Sequence, residues 1–349
     1  MDDMQTLEDL KNHHQKVSRK SFLIILSTSV CLFATFFLAL FVGNYELSVS
    51  EVIYGLLGIA DTETSYVLYE TRIPRLLCCI LIGAALSTAG LTMQSLFKNP
   101  MASPSVLGIS SGAAFGASLA ISFGIGGFLG RYMIPGMAFL FCFITMVVVY
   151  LLARTKYGIA TTTLLLAGVA VGAFFNGLVS LLQYIADEDT LQNIVYWTMG
   201  SLNNCGWNAF AMGLIPISIG IFIMICYVKE LNLISAGEEQ ASNMGVNIRQ
   251  VRIMLIIATS LAVGGAVAIS GVIGFVGLIV PHIFRMIAGP NHQLLMPLCI
   301  VGGGAFMIIV DTISKAGFNV ILPVGILTSL LGAPFFIYVM RTRKKEIWE

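Results

Sequence analysis

The sequence predicts an all-α polytopic membrane bundle of about ten helices with both termini in the cytoplasm, and three observations carry that expectation. The 349 residues are 57% apolar and only 11% charged, with a mean hydropathy of +0.89, whereas a water-soluble globule carries charge on roughly a quarter of its residues. Apolar runs of about 20 residues, the length that crosses a hydrocarbon core, recur along the whole chain. Lys and Arg then fall unequally on the two sides that those runs define.

The elements follow in order. The run from Phe22 to Val42 is longer than a signal-peptide core and no small-residue cleavage site follows it, so it stays as a first span at about 22 to 43. Further spans fall at about 76 to 97, 105 to 124, 132 to 153, 161 to 185, 209 to 228, 250 to 270, 273 to 289, 293 to 311 and 322 to 340. Between the seventh and eighth only Ser270, Gly271 and Gly274 suggest a turn. The expected organisation is a cytoplasmic segment 1–21, a single transmembrane domain 22–340 and a basic cytoplasmic tail 341–349. With the amino terminus inside, fifteen Lys and Arg lie in the cytoplasm and four, Arg72, Arg75, Arg131 and Lys315, lie outside. An even number of spans keeps both basic ends on one side. Cations distributed in this way give no reason to expect a nucleic-acid partner; lipid is the surrounding medium.

Two connections exceed simple turns. The outer one, Asn44 to Pro74, is acidic and ends in Arg72-Ile-Pro-Arg75. The inner one, 229–250, has a helical middle from about Gly237 to Met244 with Gly245 as its stop, and reads as a short amphipathic element on the cytoplasmic face. Gly108, Gly112 and Gly116 recur every four residues, as do Gly168 and Gly172, a spacing that lets helix backbones approach closely. The seven cysteines lie mostly inside apolar runs without C-x-x-C spacing and read as packing residues.

Chemistry inside the spans is sparse. An ion-coupled secondary transporter needs ionisable groups at membrane depth, yet Asp311 and Arg285 sit near helix ends and Gln94, Asn176 and Gln183 are neutral. No H-E-x-x-H motif marks a protease and no G-x-x-x-x-G-K-[ST] loop binds ATP, so this chain is expected to be no enzyme and to bind no cofactor. Any driving energy must come from a partner that grips an element such as the inner amphipathic helix.

Seven segments together resemble the permease family of bacterial importers for iron-siderophore, haem and cobalamin complexes. They are R-I-P-R at 72–75, G-A-A-L-S-T-A-G-L-T-M-Q at 83–94, N-P-M-A-S-P-S-V-L-G-I at 99–109, L-L-L-A-G at 164–168, W-T-M-G-S at 197–201, G-V-I-G-F-V-G-L-I-V-P-H-I-F-R at 271–285 and P-V-G-I-L-T-S-L-L-G-A-P-F-F at 323–336. The resemblance implies a multi-pass permease of the bacterial cell membrane, with the second to fifth and seventh to tenth helices forming an inverted repeat. It implies pairing with a second copy or a paralogue, two ATPase subunits that hold ATP and magnesium, and an extracytoplasmic solute-binding protein. An iron(III)-siderophore is the expected cargo, with haem or cobalamin as the alternative, and an ion-coupled secondary transporter as the rival of another class.

Residue by residue, the resemblance assigns Arg72, Arg75 and Lys315 to docking of the binding protein. Exposed guanidinium groups make bidentate pairs with carboxylates; Lys315 stands where the family more often has arginine, and Ile321 where glutamate is common. Glu238, Glu239, Ala241 and Gly245 are assigned to ATPase coupling, and Thr161, Thr162 and Thr163 to a cytoplasmic gate. Gln94, Asn176, Gln183 and Thr328 are nominated as pathway lining, with interhelical hydrogen bonding as the competing use of each.

Overall fold

The structure, a computed structural model, describes residues 2–43, 45, 47–124, 132–155, 158–159, 161–316 and 320–342, with the backbone alone for 2–18, 155, 158–159, 161, 340 and 342. Helix α1 (Asp2–Ala39) runs unbroken from the expected cytoplasmic segment into the first span. The outer connection is itself helical. Its α2 (Val49–Leu56) opens on a capping box, in which the Ser48 N–H donates to Glu51 Oε2 at 2.7 Å and the Glu51 N–H donates to Ser48 Oγ at 3.3 Å. A short α3 (Thr62–Tyr66) and a π-helical turn (Val67–Arg72) then lead directly into α4 (Ile73–Leu96). The helical chain therefore begins well before the residue-76 start that hydropathy alone suggests.

The next elements are α5 (Ile109–Ser122), α6 (Met133–Ala153), a small hairpin of β1 (Arg154–Thr155) and β2 (Gly158–Ile159), α7 (Thr161–Ile185) and the outer helix α8 (Glu188–Thr198). After α9 (Trp207–Cys226) come α10 (Val228–Ala236) and α11 (Glu238–Asn243) on the cytoplasmic side. The last four are α12 (Ile248–Ser270), α13 (Val276–Ala288), α14 (His292–Ala316) and α15 (Val324–Thr342). Among the described residues seven helices are long and apolar enough to cross a membrane, and three shorter apolar ones, Ile109–Ser122, Val276–Ala288 and Val324–Val339, bring the set to the expected ten.

The short helices have a physical consequence. Fourteen residues rise about 21 Å, less than the roughly 30 Å hydrocarbon core, so non-helical chain must complete the crossing. Irregular backbone at that depth is tolerated only inside protein. Accordingly Ala102, Ser103 and Leu107 before α5 are buried, as are Gly271 and Ile273 before α13. The break after α12 is tied to two others: the Ser201 N–H donates to the Ser270 carbonyl at 2.8 Å, and the Gly325 N–H to the Gly200 carbonyl at 3.1 Å. Gly200 (φ +71°) and Gly271 (φ +70°) occupy the left-handed region, and a Cβ at Gly200 would strike the Val272 carbonyl. The turn read at Ser270 to Gly274 is thus a reentrant break.

Helices α4 and α12 form the centre and are buried along nearly their whole length. Helix α4 packs along α14, and α12 along α6 and α9. The second and seventh spans are each followed by a non-helical stretch and a short helix that starts after a left-handed residue, Gly108 (φ +73°) or Phe275 (φ +65°). The two halves thus repeat the same order of long helix, break and short helix.

Candidate functional site

Polar groups gather at the two ends of the central helices. At the outer end Arg75, one turn into α4, meets Asp311 near the end of α14: Nε lies 3.0 Å and Nη2 2.8 Å from Oδ1. Lys315, one turn beyond Asp311 on the same helix face, places Nζ 2.6 Å from Oδ2. Asp311 is fully buried, and Arg75 exposes only 8% of its surface. The remaining arginine arm, Nη1, donates to Asn203 Oδ1 at 3.2 Å in the loop between α8 and α9. Arg72 is buried too and turns back toward α1, donating to the Leu40 and Tyr45 carbonyls. Leu40 adjoins the end of α1 and Tyr45 lies in the outer connection, so the guanidinium ties that connection to the helix end.

These positions correct the expectation of free docking cations. Arg72 caps a helix end, while Arg75 and Lys315 are both consumed by one internal carboxylate. The fourth outer cation, Arg131, lies outside the described residues. What faces outward instead is an open cavity of about 1200 Å³ walled by neutral groups, among them Asn193, Trp197, Asn203, Asn208 and Ser270.

At the inner end the amphipathic element is present as expected, in two short helices. Ala241 of α11 is fully buried, Glu239 is exposed, and Glu238 is held by Arg252 of α12, with Nη2 2.8 Å from Oε1. Gly245 (φ +86°) ends α11 in a Schellman motif: its own N–H donates to the Ser242 carbonyl at 2.9 Å and the Val246 N–H to the Ala241 carbonyl at 3.0 Å. The next residue outward, Met244, is 70% exposed. An apolar side chain beside carboxylates on a fixed turn is a surface a protein partner can grip.

The pathway nominees divide. Gln94 is buried on α4, where Nε2 donates to the Gly277 carbonyl at 3.2 Å. Thr328 is buried and donates to the Gly325 carbonyl at 3.1 Å. In this conformation Gln94 is thus engaged across the contact of α4 with α13, and Thr328 within its own helix. Asn176 is exposed and Gln183 half-buried on α7. At the start of α7 Thr162 is exposed and Thr163 half-buried, while the Thr161 side chain lies outside the described residues.

Two sets of interactions escaped sequence reasoning. Asp311 carries an i,i+4 signal with Lys315 that was available to read. A second set, Asn232, His292 and Ser95, joins α10, α14 and α4 at the inner end, and no local spacing announces it.

Comparison with known proteins places this arrangement. The molybdate import system permease protein of Haemophilus influenzae is 35% identical over 319 residues, 90% of this chain and 94% of that protein. The cobalamin import system permease protein of Halobacterium salinarum is 38% identical over 286 residues, 81% of this chain and 75% of that protein. A solved structure described as an inward-facing conformation of an ABC transporter of metal-chelate type superposes with a TM-score of 0.83 at 34% identity, covering 92% of this chain and 99% of that one. With the FecCD transport family model matching residues 31–342, the chain belongs to that family, as a multi-pass permease subunit of an ABC importer that is not itself the ATPase.

Proposed function

We propose that this permease carries an iron(III)-siderophore complex inward, working as a pair with a second copy or a paralogue, with two ATPase subunits below it and a solute-binding protein above. The observation that carries the energetic part is the inner element: Glu239 and Met244 stand exposed on a turn anchored through Glu238 to Arg252. ATP and magnesium belong to the partner that engages this surface. Support for the cargo comes from the metal-chelate type of the superposed transporter and from the neutral character of the open α7 face, where Asn176, Gln183 and Thr162 offer hydrogen bonds without fixed charge. A bulky chelate passes most readily along a weakly binding surface. Thr162 and Thr163, at the inner mouth of α7, form part of the cytoplasmic gate. The binding protein meets an outer face framed by Arg72, Arg75 and Lys315, which act through the shape they hold.

The relatives named for molybdate and cobalamin are about equally similar to this chain, so the cargo is decided by uptake. Proteoliposomes holding the permease, its ATPase and its binding protein are expected to accumulate a radiolabelled ferric siderophore only with ATP. Accumulation should stop when the phosphate-loop lysine of the ATPase is replaced. Uptake of cobalamin, haem or molybdate in place of the siderophore would reassign the cargo. Uptake that followed a proton gradient and ignored the ATPase would sink the whole reading.

A further inference from the structure

We propose that Asn232 and His292 form the joint through which the cytoplasmic coupling segment moves α4 and α14, which makes them positioning residues for transport. The inference rests on the reading that this segment meets the ATPase. Asn232 lies on α10, immediately before α11, and its Oδ1 accepts from the backbone N–H of His292 at 2.8 Å and faces His292 Nδ1 at 2.7 Å. Its Nδ2 donates to Asn291 Oδ1 at 3.2 Å. A backbone N–H can only donate, so the Asn232 atom facing it is the oxygen. The ring nitrogen facing that same oxygen must then carry a hydrogen.

The other ring nitrogen, Nε2, meets Ser95 Oγ on the last turn of α4. Arg285 of α13 also reaches that hydroxyl, with Nη2 3.4 Å away, and an arginine only donates. Ser95 Oγ therefore accepts from Arg285, and its single proton is shared between Nε2 and the Leu91 carbonyl, which lies 2.8 Å away. The contacts run from Arg285 through Ser95, His292 and Asn232 to Asn291. One imidazole, 2% exposed, thus ties together α13, α4, α14 and the coupling segment.

The same contacts cap a helix. The His292 N–H belongs to the first turn of α14, where no helical carbonyl is available to it. Asn232 supplies that acceptor from a different element, alongside Asn291, whose Oδ1 accepts from the Gln293 N–H at 3.0 Å. Around this joint α10 is otherwise seated by apolar Val228, Leu231 and Ile234, which resist separation but permit sliding. Directional bonds at 2.7 to 2.8 Å resist sliding as well, so displacement of α10 is passed to α14 and α4. Those two helices hold the Arg75–Asp311 pair at their outer ends. The joint is remote from that pair and from the α7 face, which separates it from cargo recognition.

The test uses the complete importer in proteoliposomes, with ferric hydroxamate-loaded binding protein as the probe, measuring uptake and ATP hydrolysis together. Asn232→Leu keeps the side-chain size and removes all three bonds. It is expected to cut uptake while the partner continues to hydrolyse ATP, raising ATP consumed per chelate by about tenfold, within the usual range of coupling between sites. Asn232→Asp loses the donation to Asn291 but retains the acceptor for the backbone and Nδ1 nitrogens of His292, and should keep the ratio within about twofold of wild type. A parallel fall of uptake and hydrolysis, or an unchanged ratio in Asn232→Leu, overturns the joint while wild-type uptake stands. Absence of ATP-driven uptake in the wild type overturns the parent reading and the joint with it.

Discussion

At Asp311 two cations, each with 10% of its side chain exposed, share one fully buried carboxylate. Arg75 supplies a two-nitrogen fork and Lys315 a single ammonium, so the cluster carries two positive charges and one negative. Removing the anion leaves two unpaired cations together, whereas removing the arginine leaves a neutral Asp311–Lys315 pair. Breaking a buried pair by deleting one partner costs about 3–5 kcal/mol, and the asymmetry assigns that full cost to Asp311→Ala and a smaller one to Arg75→Ala. Melting of the detergent-purified chain checks the order, and equal losses would show that Lys315 does not compensate. Charge reversal at Arg75 damages this cluster first, so lost docking in such a variant reports on folding. A related point holds at Arg72, whose two carbonyl partners need a planar fork that lysine lacks.

Helices here are set by how near their backbones come. A Cβ at Gly90 of α4 would strike the Gly277 carbonyl of α13, and one at Gly83 the Gly303 carbonyl of α14. Backbone cannot yield as a flexible side chain does, so Gly90→Ala must force α4 and α13 apart. Its expected result is loss of monodisperse protein on size exclusion, while Gly136→Ala, which meets nothing within 4 Å, should fold normally and gain up to about 1 kcal/mol. Normal behaviour of Gly90→Ala would show that the contact is loose. Elements of this kind were partly legible in the sequence. Hydropathy is a local property, so it located ten spans and the Ser270 to Gly274 break. It could not show that α5 and α13 are too short to cross alone, because the residues immediately before them, Val106 to Gly108 and Gly271 to Phe275, are apolar as well. The amphipathic inner helix and its Gly245 stop were readable from spacing. The Arg75–Asp311 contact, across 236 positions, and the Asn232–His292 contact, across 60, were not. Pairings of that range exist only once the helices are packed. The outer cations that the resemblance assigns to docking, Arg72, Arg75 and Lys315, are each engaged once the helices pack.

At the scale of the whole molecule, two exposed helix faces among the described residues differ in kind. The open side of α9 presents Leu214, Ile215, Ile219, Phe222 and Ile225, an unbroken apolar strip suited to lipid. The open side of α7 presents Leu166, Val169 and Phe174 together with exposed Asn176 and half-buried Gln183. An amide facing hydrocarbon loses its hydrogen bonds to water at a cost of several kcal/mol on an apolar transfer scale, roughly 4–8, so polar groups well inside a span belong toward protein or a water-filled passage. The α7 face is accordingly expected to turn to the proposed second copy and cargo route, and α9 to the bilayer. Cysteine scanning distinguishes them in the assembled importer once the exposed Cys31 and Cys226 are replaced by serine. Asn176→Cys should react with a membrane-impermeant maleimide, at a rate that changes when ATP is added. Ile219→Cys, in lipid, should stay unlabelled under the same conditions. Labelling of Ile219→Cys with protection of Asn176→Cys would reverse the assignment and turn the α7 face toward lipid.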